Sequence, residues 1–123
     1  MTKVTNWLSY QPRASVHEPA VLQIFDQIGE DWFGGSGVSA KAFSQAMQDV
    51  GPGPLVVEIN SPGGNVWDGL AIYNMLRGRQ APVTTRVVGI AASIASIIAL
   101  AGDSIEMAEA SLFMIHDPSG MVA

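Results

Sequence analysis

The sequence predicts an α/β domain on a mostly parallel sheet, and three observations carry that prediction. Residues 55–60 and 83–88 are short, β-branched, apolar runs of strand length. Each is followed by glycine, at Gly63-Gly64 and at Gly89. Each glycine gives way to an apolar run of helical length, residues 67–76 and 92–101. Strand, glycine turn and helix, repeated in succession, form the pattern of parallel β-α units, because parallel neighbours need a crossover between them. Right-handed crossovers would bring both glycine turns to the same edge of the sheet.

The remaining elements follow in chain order. Residues 1–18 are polar and mixed and read as a loose lead-in, leaving 19–123 as the folded unit. Residues 20–28 read as a strand ending at Gly29, and 30–37, with Trp32, Phe33 and three glycines, as a loop. Ser39 is placed to N-cap a helix over 40–50 whose Phe43, Ala46, Met47 and Val50 share a face. Gly51-Pro52-Gly53-Pro54 ends it. After the two β-α units, 104–107 and 111–116 read as short strands. Trp67, Leu70 and Ile72 would leave an apolar face open in a lone copy, which predicts self-association.

Composition narrows the function classes. The chain has 123 residues, 48% of them hydrophobic and 14% charged, enough apolar content for one core. Its formal charge of −5 gives no basic footprint for nucleic acid. There is no cysteine, and the two histidines, His17 and His116, lack metal-ligand spacing, so no metal or cofactor is expected. The longest uncharged stretch, residues 87–102, is shorter than the roughly 20 residues a membrane helix needs. The expectation is a cytoplasmic protein that binds neither membrane nor nucleic acid.

The residues that could carry chemistry cluster around the glycine turns. Ser93 lies between an apolar strand and an apolar helix, where a helix N-terminus favours developing negative charge. A serine hydroxyl needs a base to become a nucleophile, and His116 is the histidine downstream of both turns. On a strand it would share a face with Leu112 and Met114. The backbone N–H groups of Ile94 and Gly64 could receive an oxyanion. Singly, Ser93 reads as an N-cap, Ser96 as a small packing residue, His116 as a hydrogen-bonded core or rim residue and Gly63-Gly64 as an ordinary turn. Their order and spacing lift the catalytic reading above these.

Asn60-Ser61-Pro62-Gly63-Gly64, Gly69-Leu70-Ala71-Ile72-Tyr73, Gly89 to Ser93, Ala101-Gly102 and Met114-Ile115-His116 together resemble the Clp protease proteolytic subunit family. The separation of 29 residues between Gly64 and Ser93 fits its pattern. The resemblance implies the crotonase-like fold, a repeated β-β-α spiral, here incomplete at its C-terminus. It implies a serine endopeptidase with Ser93 as nucleophile, His116 as general base and Gly64 and Ile94 as oxyanion hole. The substrate peptide would pair as an added strand along Gly63, Gly64, Asn65 and Val66. The family also implies homo-oligomeric rings, protein or peptide substrates, and an ATP-dependent unfoldase as partner.

The sequence departs from that pattern in places. Ile90 and Ile94 replace residues usual in housekeeping members, and His116 follows Ser93 by 23 residues, a shorter interval. Residues 101–107 and the Glu30-Asp31-Trp32-Phe33 loop look more like phage and prophage head maturation proteases, which implies capsid or scaffold proteins as partners. The family's third triad member, an aspartate, lies well past the histidine, whereas the sequence extends only seven residues beyond His116. Asp117 on a strand would face away, and Asp68 and Asp103 are stand-ins by residue type only. A truncated remnant or assembly component of the same fold is therefore the alternative. A serine–lysine peptidase is disfavoured because Lys3 and Lys41 lie far upstream of Ser93. An acyl-CoA-processing crotonase would share the oxyanion turn without the serine–histidine pair.

Overall fold

The structure, a computed structural model, describes residues 3–5, 8–11, 18–29 and 37–115. Within them the order of elements is β1 (Lys3–Thr5), β2 (Leu8–Gln11), β3 (Ala20–Ile24), α1 (Ala40–Val50), β4 (Leu55–Ser61), α2 (Val66–Arg77), β5 (Val83–Ala92), α3 (Ile94–Ala99), β6 (Ser104–Met107) and β7 (Leu112–Met114). The sheet runs β1-β2-β3-β4-β5-β6, with β7 pairing the upper half of β5. From β3 onward every pairing is parallel, while β1 and β2 join antiparallel at the edge. The mixed α/β fold with a mostly parallel sheet is thus as the sequence predicts.

Register sorts the side chains into two faces. Ala20, Leu55 and Val83 form one cross-strand row, Leu22, Val57 and Thr85 the next, and Ile24, Ile59 and Val87 a third. All nine are buried and meet Phe43 and Ala46 of α1, Ile72 and Leu76 of α2, and Ala95, Ile98 and Ala99 of α3. Period-2 alternation therefore points one set of residues at a single helical layer. Thr85, the polar member, is satisfied by donating its hydroxyl to the Ala99 carbonyl. The opposite face carries a polar row in the same register, Gln23, Glu58, Arg86 and Glu106. Gln23 donates to Glu58 at 2.7 Å, and Arg86 bonds Glu106 at 2.8 Å and Glu58 at 3.3 Å. The hydrogen bond to Glu106, with the charge of Glu106 and the bond and charge of Glu58, raises the Arg86 guanidinium pKa above its ordinary value against the opposing effect of burial.

Several sequence expectations change, among them the helix expected over 92–101, which runs Ile94–Ala99 because β5 continues to Ala92. The lead-in over 1–18 is not all loose, because residues 3–5 and 8–11 form the edge hairpin, where Leu8-Ser9-Tyr10-Gln11 has the alternation of a strand. Strand β3 stops at Ile24, four residues early, and Ile28 makes isolated bridges to Val38 and Gly64. Gly89 is not a turn: β5 runs through it to Ala92, and it marks a bulge. Ile72 is fully buried, so the open face on α2 is that of Trp67, 78% exposed, Leu70 and Val66. Of the loop expected over 30–37, residues 30–36 lie outside the described residues, as does His17.

Candidate active site at the sheet edge

Both β-α turns do arrive at one edge, and they touch. The first follows β4. Ser61, fully buried, accepts the Gly63 N–H on its Oγ at 3.2 Å. Gly63 and Gly64 adopt φ of 103° and 149°, conformations that side chains rarely take. A Cβ on Gly64 would lie 2.2 Å from the Ile28 carbonyl oxygen, so only glycine lets these backbones approach. The Gly63 carbonyl accepts from Ile28 N–H, and Asn65 N–H donates to Ile28 O, at 2.9 and 2.8 Å. Those bonds leave the Gly64 N–H on the other side, without a partner among the described residues.

Asn65 then caps α2, its Oδ1 accepting the Asp68 N–H at 2.9 Å. Val66 is therefore the first residue of a helix, so the strand expected to pair along 63–66 does not extend through it. Asp68 in turn accepts the Ala40 N–H at 2.8 Å and ties the start of α1 to the start of α2.

The second turn follows β5. Ser93 has φ 56° and ψ −128° and is the non-glycine residue at positive φ among those described. These angles approach those of the first central residue of a type II′ turn, about +60° and −120°, a position glycine dominates. As an N-cap Ser93 makes no side-chain hydrogen bond, so the ordinary capping role does not explain it. Its N–H donates to the Met114 carbonyl at 3.0 Å. Its carbonyl receives both the N–H and the hydroxyl of Ser96, which gives that buried serine a bonding as well as a packing role.

The two turns are pressed together. A Cβ on Gly63 would meet Ser93 Cβ at 2.9 Å and the Ala92 carbonyl oxygen at 2.8 Å. A Cβ on Gly69 of α2 would meet Ile94 Cγ1 at 2.1 Å, so α2 offers a notch into which Ile94 fits. The Ile94 N–H opens α3, where it has no intrahelical acceptor, and among the described residues no bond occupies it. Strand β7 pairs Ile90, Ala91 and Ala92 with Leu112, Phe113 and Met114, so the chain reaches this same edge again at Met114. His116 and Asp117 lie outside the described residues.

The carboxylates considered as stand-ins are held elsewhere. Asp103 accepts the Val83 N–H at 2.8 Å, at the start of β5, whereas Ser93 follows its end, roughly 30 Å away at the rise of a strand. Asp68 is engaged at the head of α1. Sequence reasoning missed the parts played by Asn60, Ser61 and Asn65. The cap had a signal, Asn followed three residues on by Asp ahead of an apolar run.

The sequence model of the Clp protease family matches residues 44–123, and the chain belongs to that family. It is 51% identical over 67 residues to an ATP-dependent Clp protease proteolytic subunit of Pleurastrum terricola, covering 52% of this chain and 34% of that protein. It is 38% identical over 69 residues to ATP-dependent Clp protease proteolytic subunit 1 of Salinibacter ruber, covering 54% and 30%. It is 45% identical over 68 residues to the protein of the same description in Chlamydia caviae, covering 54% and 36%. The chain thus matches about a third of the length of these curated relatives. Among the described residues no helix is long and apolar enough to cross a membrane.

Proposed function

We propose that the protein is a serine endopeptidase acting through an acyl-enzyme, with Ser93 as nucleophile and His116 as general base. The carrying observation is the backbone of Ser93: a non-glycine residue held at positive φ, uncapping, at the mouth of a helix and against a glycine turn. Strain of this kind costs about 1–3 kcal/mol and persists where function keeps it. His116 would take the Ser93 Oγ proton as Oγ attacks a peptide carbonyl, then return it to the leaving amine. The Gly64 and Ile94 N–H groups, both without partners among the described residues, would hold the tetrahedral oxyanion. Placement of His116 finds support in the short distance in sequence from Met114, whose carbonyl bonds Ser93. Substrate pairing along Gly63 and Gly64 is compatible with the glycine turn, while Asn65 and Val66 would contribute from the head of α2.

By family, the substrates are unfolded proteins or peptides, the assembly a homo-oligomeric ring, the partner an ATP-dependent unfoldase and the compartment the cytoplasm. The head maturation branch, with phage capsid or scaffold proteins as substrates, is the narrower form, supported by residues 30–33 and 101–107. The test is labelling of the purified full chain by a fluorophosphonate beside Ser93→Ala and His116→Ala. Labelling that needs both residues supports the proposal. A folded chain that stays unlabelled overturns it in favour of a remnant or assembly component, the reading that the engagement of Asp68 and Asp103 elsewhere favours.

A further inference from the structure

The register of β4 against β5 changes just before the nucleophile. Ile59 pairs with Val87, but Ser61 pairs with Ala91, so a single residue, Asn60, faces three on β5, Val88, Gly89 and Ile90. Without those two extra residues Gly89 would sit opposite Ser61, and Ser93 would overshoot the glycine turn by about 6.6 Å. The bulge draws Ser93 back to the position where it touches Gly63. On the other flank β6 stops at Met107 and β7 begins at Leu112, so the neighbouring chain also breaks step around the bulge.

The side chain that reaches the bulge is Asn60. Its Oδ1 accepts the Ile90 N–H at 3.1 Å, a donor the slipped ladder would otherwise leave unpaired. Gly89 makes room for it, since a Cβ there would lie 2.3 Å from Asn60 Oδ1 and 2.8 Å from Asn60 Cγ. Asn60 is itself exposed and belongs to the sheet face away from the helices, so the core does not depend on it.

We propose that Asn60 is a positioning residue for the reaction: by accepting from Ile90 it holds the two-residue bulge that sets Ser93 against the Gly63-Gly64 turn. This rests on Ser93 being the nucleophile. What the role requires is an acceptor at Oδ1, not an amide, so Asp serves and Leu does not.

The experiment measures fluorophosphonate labelling of the full chain over a range of probe concentrations, for the parent, Ser93→Ala, Asn60→Leu, Asn60→Asp and Gly89→Ala, each with a thermal melt. Misplacing a reacting atom by about 1 Å can cost on the order of 10²-fold, so Asn60→Leu is expected to lower the maximal labelling rate about tenfold or more. The half-saturating probe concentration should hold, and Asn60→Asp should retain the parent rate. Equal rates in the parent and Asn60→Leu overturn the positioning role while leaving Ser93 in place, as do equal losses in Leu and Asp. Should Asn60→Leu not melt cooperatively, Gly89→Ala decides: slowed labelling supports the role and unchanged labelling overturns it. A parent that labels no faster than Ser93→Ala overturns the nucleophile itself, and the role of Asn60 with it.

Discussion

The two β-α turns are the same supersecondary unit put to different ends. After β4, glycines take the positive φ values, a buried serine hydroxyl fixes the turn, and Asn65 caps a helix of 12 residues. After β5, a serine takes the positive φ, nothing caps the helix from its side chain, and that helix has six residues. Local cost falls on the second unit: strain, an uncapped start, and a helix too short to hold itself up. What the second unit gains is a half-buried hydroxyl that caps nothing, beside an Ile94 N–H without a partner among the described residues. The first, rigid unit then serves as the wall against which the strained one is set.

Breaking the wall should have the largest effect. Gly64→Ala places a Cβ 2.2 Å from the Ile28 carbonyl oxygen at a φ of 149°, and neither backbone can yield cheaply. A loss of about 2–4 kcal/mol is expected, read as a fall in denaturation midpoint, with labelling abolished. The contact between units comes next. Gly69→Ala drives a methyl into Ile94 Cγ1, an overpacking cost of about 1–3 kcal/mol. Because the clash is with one side chain, Ile94→Ala in the same molecule should restore part of it, and a double-mutant cycle gives the coupling. An additive cycle would mean that α2 and α3 are not seated through this notch.

Removing the cap tests the asymmetry more gently. Asn65→Ala leaves the Asp68 N–H without its acceptor and should cost about 1 kcal/mol by chemical denaturation. Ser93→Ala should cost no such amount, because Ser93 makes no capping bond to lose. Comparable losses in the two would dissolve the contrast between them.

This asymmetry was only half legible in the sequence. The strands β4 and β5 and the helices α1 and α2 stand out because apolar periodicity and Gly/Pro punctuation coincide there. The repeated β-α pattern also brought the two turns to one edge, where Ser93 lies against Gly63, since right-handed crossovers leave little choice of edge. Gly89 misled because a glycine inside a strand signals either a turn or a bulge, and only the partner strand decides which. Ile72 misled because the same apolar spacing serves a core face or an interface. The edge hairpin was missed because it is built from short runs whose pairing with β3 is non-local.

Ser93→Gly sharpens the comparison at its smallest expected effect and separates strain from chemistry. Glycine adopts φ 56°, ψ −128° without the penalty a Cβ brings, so the folded state is relieved. Glycine also loosens the unfolded chain, which offsets part of the gain. The net expectation is a stabilisation of about 0.5–1 kcal/mol relative to Ser93→Ala, which keeps the strain while lacking the same hydroxyl. The comparison uses Ala as reference so that the lost hydroxyl cancels. If Gly and Ala melt alike, the backbone at 93 is not strained, and Ser93 as nucleophile loses its carrying observation. If Gly is the more stable, serine is held at this position against a stability gradient, which is the signature of a residue kept for its reactivity.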